Sequence, residues 1–341
     1  MKEGFEKCHY EHTLFIKTGK GGKILIVCLY VDDLIFTRND EIMFAEFKKS
    51  MMLEFDMSDL GKMRYFLGIE VMQKSDGIFI SQKKYTQEVL ERFSMDKCNP
   101  VYNLMIHGFK VMKNGDGVRI DSTFYKKIVG SLMYLTATRP DVMFVVSLIS
   151  RFMDCPTKLH LQSAKRILRY LKGTIDFGVF YKKGGNEDSD YAGDLDDRKS
   201  TSGYVFMLSL GAVSWSSKEQ PVVSLSTTEV EFIAATSCAC QAIWLRRIFE
   251  GLNHAQHDST TVYCDNSSAI KLSKNLMMHG RCKHIDVCFH FLHELTKYGI
   301  VEMVHCHTHE QVAHIMTIPL KLDACLKIRD LLGVCLDPGV N

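Results

Sequence analysis

Apolar and polar positions follow three textures along this chain. From Lys23 to Val31 comes a run of Ile, Leu, Val, Cys and Tyr, the pattern of a strand buried on both faces. Asp32 and Asp33 end it, and Leu34 to Thr37 reads as a return strand. Asp40 to Phe55 carries helical spacing, MSDLGKMRYFLGIEV reads as a turn and a strand, Gly77 to Ser81 is short and β-like, and Tyr85 to Phe93 is helical. From Val101 to Ile120 the chain is aperiodic and bears Gly and Asn, as a linker or surface excursion does. The second texture is helical: Phe124 to Thr136, Val142 to Phe152 and His160 to Leu171. Arg139-Pro140-Asp141 separates the first two, because proline disfavours helix at the residue before it. The third begins after Lys182-Lys183-Gly184-Gly185-Asn186. Short strands (Tyr204 to Leu208, Ala212 to Ser216), a helix from Ser226, a strand from Thr261 to Cys264 and further α/β alternation follow. Ser226 is placed to cap its helix, with Glu229 as capping-box partner and Leu225 with Val230 as a hydrophobic staple.

Composition narrows the class. The chain has 341 residues, 46% hydrophobic and 24% charged, enough for about two domains at roughly 150 residues each. Disorder is excluded by that apolar content and by a net charge of only +2. With 42 basic and 40 acidic residues no global field steers nucleic acid, so any such contact needs a local patch. The longest apolar stretch, Ile24 to Val31, falls well short of the roughly 18 residues of a membrane span. MKEGFEKCHYEH has no apolar core of a secretory signal. Twelve scattered cysteines without a CxxC pair read as free thiols in a reducing compartment. The expected location is therefore intracellular, in cytoplasm or nucleus, with no membrane partner.

Several clusters could carry chemistry. Tyr30-Val31-Asp32-Asp33 puts adjacent carboxylates at a strand end, where they repel unless a divalent cation neutralises them. Two turn residues in a hairpin are the plainer alternative. On the third helix of the middle segment Leu161, Ala164, Leu168 and Leu171 form an apolar stripe, while Lys165, Arg169 and Lys172, with Arg166 nearby, make a basic face. That face is either solvated or tracks phosphates. His305, His307 and His309 alternate, with Cys306 between them and His314 behind. On a strand they could share a face and converge on zinc, but no partner pair at finger spacing occurs, and an exposed strand edge is the default.

Motifs from both ends of the chain together point to one family. LIVCLYVDDLIFTRND, FDMSDLGKMRYFLGIEV and ISQKKYTQEVLERFSM resemble the palm and following segments of copia-type retrotransposon reverse transcriptases, and Tyr30 to Asp33 matches the YxDD box. YKKIVGSLMYLTATRPDVMFVVSLISRF and HLQSAKRILRYLKGT resemble the connection that follows. DSDYAGDLDDRKSTSGYVF, AVSWSSKEQPVVSLSTTEVEFIAA, VYCDNSSAI, KHIDVCFHFLHEL and EQVAHIMTIPL resemble the family's ribonuclease H domain. The resemblance implies an α+β and α/β chain: a partial reverse transcriptase palm (1–100), a linker and helical connection (101–181), and a ribonuclease H-like mixed five-stranded sheet with helices (182–341). It implies that Asp32 and Asp33 serve the polymerase metals, and that Asp188, Glu231 and Asp265 serve two Mg²⁺ ions, or Mn²⁺, in hydrolysis of RNA–DNA hybrid. Lys165, Arg166, Arg169 and Lys172 become candidates for nucleic-acid contact, and RNA–DNA hybrid or template–primer becomes the expected partner.

Departures from the family pattern qualify this. The chain begins after the strand that bears the palm's third carboxylate, so a polymerase half-site is expected. The apolar strand before Asp188 reads as deleted, since residues 182 to 187 are too polar and Gly-rich to replace it. His314 stands where the fourth hydrolytic carboxylate is expected, and Ile318 where the family carries lysine. Imidazole nitrogen serves Mg²⁺ poorly. The expectation is a catalytically degenerate fragment of a Pol polyprotein. A non-catalytic nucleic-acid-binding or protein-interaction derivative and an inert genomic remnant remain as alternatives.

Overall fold

The computed structural model describes residues 4–105, 117–183, 200–208, 210–275 and 285–337, and for 189–193 the backbone alone. Most of the 101–120 linker lies outside these residues. The chain divides into two compact units, Met1–Met63 with Cys240–Ser259, and Arg64–Ala239 with Thr260–Asn341.

In the first unit, β1 (Glu6–Lys7), β2 (Leu14–Gly19), β3 (Lys23–Tyr30) and β4 (Asp33–Arg38) form an antiparallel sheet in chain order. α1 (Glu41–Glu54) follows, capped by the Asp40 carboxylate, which accepts from Met43 N at 2.8 Å. Phe15, Leu25, Val27, Met43 and Phe47 form the core. β3 differs from its expected two-sided burial. Only Leu25 and Val27 are buried, Ile24, Ile26 and Cys28 are half-buried, and Leu29 and Tyr30 are exposed. One face of an antiparallel sheet packs on the core and the other does not, so a continuous apolar run overstated its burial.

The second unit begins with β5 (Tyr65–Phe66), β6 (Ile69–Gln73), β7 (Gly77–Ser81) and α2 (Lys83–Arg92). The middle helices are α3 (Ser122–Leu135), α4 (Met143–Ser150) and α5 (Lys158–Gly173). Tyr125, Ile128, Leu132, Leu135, Ile149, Ala164, Ile167 and Leu168 interlock between them with no exposure, so the apolar stripe read on α5 is a core seam. Between α3 and α4, Arg139 and Asp141 are buried together. Arg139 donates from Nε to Asp141 Oδ1 at 2.9 Å and from Nη2 to Oδ2 at 2.8 Å, and the Tyr170 hydroxyl donates to Oδ2 at 2.7 Å. The segment that reads as a simple proline break is thus also a satisfied ionic node.

β8 (Phe177–Lys182) pairs antiparallel with β7 on one side and with β14 (Val334–Leu336) on the other, giving the sheet order β14-β8-β7-β6-β5. One sheet therefore draws strands from all three of the sequence segments 1–100, 101–181 and 182–341. The remaining strands, β9 (Ser189–Gly193), β10 (Thr201–Leu208), β11 (Gly211–Glu219), β12 (Thr260–Cys264) and β13 (Val301–His305), form a mixed sheet ordered β11-β10-β9-β12-β13. β9 to β11 are antiparallel neighbours, and β12 runs parallel to both β9 and β13. Its helices are α6 (Thr227–Gly251), α7 (Ser267–Lys274), α8 (Asp286–Lys297) and α9 (Leu322–Leu331).

This sheet corrects the expected deletion of a central strand. Residues 189–193, on the far side of Asp188, fill the centre, with Ser189 opposite Phe206, Gly193 opposite Ser202, and Asp190 opposite Tyr263. Without a strand there, β10 and β12 would each bury a row of unpaired backbone groups, a penalty that a short polar strand relieves despite its poor propensity.

Candidate functional site

Two acidic corners emerge, one in each unit. In the first, β3 and β4 are joined by a two-residue turn, with Tyr30 paired to Asp33 and Val31 and Asp32 at the tip. Val31 has φ 53° and is 85% exposed, a left-handed conformation that a β-branched side chain adopts only under strain. Asp32 and Asp33 are both exposed. The hairpin thus leaves both carboxylates exposed at its turn.

The second corner lies at the end of the mixed sheet. α6 starts where expected: Ser226 Oγ accepts from Glu229 N at 3.3 Å. The Glu229 carboxylate reaches one residue further back than a capping box requires, accepting from Leu225 N at 2.6 Å. Leu225 is 78% exposed, so the expected staple with Val230 is not formed. One turn into this helix Glu231 is buried. Asp265 directly follows β12, and His314 sits on a 3₁₀ turn, Val312–Met316. That turn packs closely on β10, where a Cβ at Gly203 would meet Met316 Cβ at 2.5 Å and Thr317 Cγ2 at 2.8 Å. Only glycine permits the approach.

His314 Nε2 lies 3.5 Å from Asp265 Oδ2, with the two side chains 9% and 14% exposed. The hydrogen bond from His314 holds the Asp265 carboxyl below the usual carboxylate range. Burial opposes this, and the Thr308 hydroxyl and the imidazole charge assist it. The neighbouring Cys264 thiol is pushed up by burial, with the charges of Glu231 and Asp265 adding to the effect. Glu231 and Asp265 therefore both bear on the Cys264 thiol. Asp188 lies outside the described residues.

Among the described residues no group of three or more His, Cys, Asp or Glu side chains is arranged to hold a metal ion. The donor chemistry agrees with this. Beside Asp265 the chain offers an imidazole already engaged with the carboxylate, not a further hard oxygen, so the described residues do not fit a pair of Mg²⁺ ions. The histidine row behaves as an exposed edge. β13 ends at His305, so strand alternation does not extend to His307 and His309, and neighbouring ring centroids stand 6.0 and 5.5 Å apart.

The basic face of α5 is divided in use. Arg166 Nε donates to Asn103 O at 3.1 Å, and Arg169 Nε to Asn99 O at 2.8 Å, so both guanidinium groups clip the segment after α2 onto the helix. Lys165 is exposed and Lys172 half-buried. The residues that sequence reasoning missed are Thr308, Gln311 and the Arg139–Asp141–Tyr170 node. Gln311 carried a signal, since a residue able to accept from N–H groups stands immediately before the Val312–Met316 turn.

With this geometry described, comparison with known proteins becomes informative. The family described as reverse transcriptase (RNA-dependent DNA polymerase) matches residues 1–107. The retrovirus-related Pol polyprotein from transposon TNT 1-94 of Nicotiana tabacum is 37% identical over 344 residues, covering 96% of this chain and 26% of its own length. The corresponding polyprotein from transposon RE1 of Arabidopsis thaliana is 36% identical over 337 residues, covering 97% of this chain and 23% of its own length. The structure of the foamy viral protease-reverse transcriptase in complex with RNA/DNA hybrid shares the fold at a TM-score of 0.50 and 12% identity, covering 83% of this chain and 36% of that one. The chain belongs to the copia-type retrotransposon Pol family. It spans about a quarter of the length of the curated relatives it matches. Among the described residues no helix is long and apolar enough to cross a membrane.

Proposed function

We propose that this chain is a Pol polyprotein segment that combines the end of a reverse transcriptase palm with a ribonuclease H-like domain whose hydrolytic centre is degenerate. In this reading the exposed Tyr30–Asp33 hairpin is the YxDD element, and the β11-β10-β9-β12-β13 sheet with α6 is the ribonuclease H-like layer. Glu231 and Asp265 are the retained hydrolytic carboxylates, and Asp188 is the third. The observation that carries the degenerate part is the contact of His314 with Asp265 at 3.5 Å. Two-metal hydrolysis depends on concentrated negative charge to hold both ions at fixed separation. Here an imidazole takes up the Asp265 carboxylate and supplies no negative charge.

The deciding assay is release of labelled RNA from an RNA–DNA hybrid in Mg²⁺ and in Mn²⁺, with Asp265→Asn as control. The unmodified chain is expected to cleave no faster than the control in Mg²⁺, and any remnant rate to prefer Mn²⁺, which accepts nitrogen more readily. Robust Mg²⁺-dependent cleavage that disappears in the control would show a working centre.

A second reading, a non-catalytic binder of nucleic acid, is favoured by the exposed position of Lys165 on α5 with Lys172 further along the same helix. Its signature is weak, sequence-independent affinity for hybrid or template–primer that falls as salt rises.

A further inference from the structure

The turn bearing His314 is held against β12 by one buried amide. Gln311 is 1% exposed and caps the Val312–Met316 turn, its Oε1 accepting from Ala313 N at 3.4 Å. Its Nε2 donates to Tyr263 O at 3.1 Å and reaches Cys306 Sγ at 3.4 Å. Tyr263 stands two residues before Asp265, and Cys306 follows β13 directly. Only one orientation of the amide meets both demands, because the Tyr263 carbonyl needs a donor and the Ala313 N–H needs an acceptor. The main chain adds His314 N to Gln311 O at 3.3 Å, and Cys306 N to Cys264 O at 3.1 Å. A single side chain therefore ties together the end of β12, the residue after β13 and the turn that presents the imidazole.

We infer that Gln311 is the positioning residue of the Asp265–His314 pair: it sets the height of the His314 turn along β12, and so the distance at which imidazole meets carboxylate. This rests on the reading of that corner as one altered centre. It adds that the alteration is held by a specific connection and does not follow from the Gly203 contact alone. A purely structural glutamine would stabilise the fold without governing how those two side chains feel each other. A positioning glutamine governs that directly.

A double-mutant cycle separates the two. Asp265→Asn, His314→Gln and their combination are made in the full chain and unfolded in urea in one buffer. Trp215 fluorescence, in a Trp244→Phe background, reports on the second unit. The cycle is expected to show a coupling between Asp265 and His314 that is lost when Gln311→Leu is added. Gln311→Met supplies an independent version, since a thioether on a chain of similar length cannot donate to the Tyr263 carbonyl at any pH. It is expected to lose the coupling too, which keeps the test open if the leucine variant fails to fold. Coupling that persists in either folded Gln311 variant, or that is absent with Gln311 intact, overturns the inference. The measurement uses neither metal nor substrate, so hybrid cleavage by the native chain would overturn the degenerate reading while leaving this result standing on its own.

Discussion

Replacing His314 with aspartate tests the altered corner most directly, because it should convert an attraction into a repulsion that only a cation relieves. In the native chain the imidazole and the Asp265 carboxylate are 3.5 Å apart and largely shielded from water. When the imidazole is protonated, a charge pair at about 4 Å is worth roughly 4 kcal/mol at an effective dielectric near 20, before the cost of desolvating both groups. His314→Asp reverses the sign. Two carboxylates at this separation cannot both ionise freely, so one takes up a proton and its pKa rises. Each unit of that rise is about 1.4 kcal/mol, and the variant is expected to be about 1–3 kcal/mol less stable near neutral pH without metal.

A divalent cation should restore the loss. A ligand that binds only the folded state contributes about 2.7 kcal/mol at a hundredfold excess over its Kd, so Mg²⁺ should recover most of the deficit in His314→Asp. In the native chain the unfolding free energy should change by less than about 0.5 kcal/mol, since nitrogen is a poor Mg²⁺ ligand. Urea unfolding with chelator and then with Mg²⁺ reads both quantities, and adding Asp265→Asn to the variant should abolish the response. The reasoning fails if the native chain gains as much from Mg²⁺ as the variant does. It fails equally if His314→Asp is indifferent to the ion, for the corner would then not be a metal position at all.

Three other outcomes follow from named contacts. On α5, Arg166→Ala and Arg169→Ala should each cost about 1–1.5 kcal/mol of stability, because each arginine holds a backbone carbonyl. Lys165→Ala with Lys172→Ala should leave stability within about 0.5 kcal/mol but lower the salt slope of hybrid binding by up to about 2; an unchanged slope assigns those lysines to solvent. At the hairpin tip, Val31→Gly should stabilise the first unit by about 0.5–1 kcal/mol, the relief of left-handed strain less the entropy of a freer unfolded chain; a loss in denaturant unfolding would show no strain there. At the buried node, burial pushes the Asp141 carboxyl up, but the charge and hydrogen bonds of Arg139 outweigh it and hold the group below its ordinary value. That stabilisation is present above about pH 4 and fades as pH falls through the lowered pKa. In Arg139→Met burial acts without its counterion, so the variant should lose about 3–5 kcal/mol at neutral pH and grow less stable as pH rises above about 4. An equal slope in both proteins would refute the assignment.

How much of this was legible from residue order depended on whether one short-range pattern decided the outcome. Gly77 to Ser81 and the helix from Asp40 were readable because alternation or a capping carboxylate settles them locally. β9 was not, because Ser-Asp-Tyr-Ala-Gly has little intrinsic preference for a strand and is placed by the edges of β10 and β12 on either side. The staple at Leu225 failed for a related reason: the spacing was correct, but the Leu225 side chain is 78% exposed. On α5 the basic spacing was correct as a pattern and incomplete as a function. Nothing in Lys165, Arg166, Arg169 and Lys172 reveals that carbonyls of Asn99 and Asn103 lie within reach of two of them. Arg139 and Asp141 likewise declared only a helix break, since Tyr170 and Thr174, which complete their hydrogen bonds, are some thirty residues away. The acids were proposed through resemblance, whereas Gln311 required the register of β12 against a turn nearly fifty residues later.

The two kinds of feature differ in what sustains them. The mixed sheet rests on apolar burial at Val205, Ala212, Val312, Ala313, Ile315 and Met316, and on a glycine at 203 that lets the turn approach β10. None of these terms depends on metal. A cluster of carboxylates is different, because without cations each member raises the electrostatic cost of the others. An imidazole beside Asp265 brings no such repulsion, so under the proposed reading His314 favours the metal-free chain at the corner where it would serve a cation poorly. Under the proposed reading the fold and the hydrolytic centre can therefore separate: the turn stays docked on the sheet with His314 facing Asp265 whether or not that corner holds a cation.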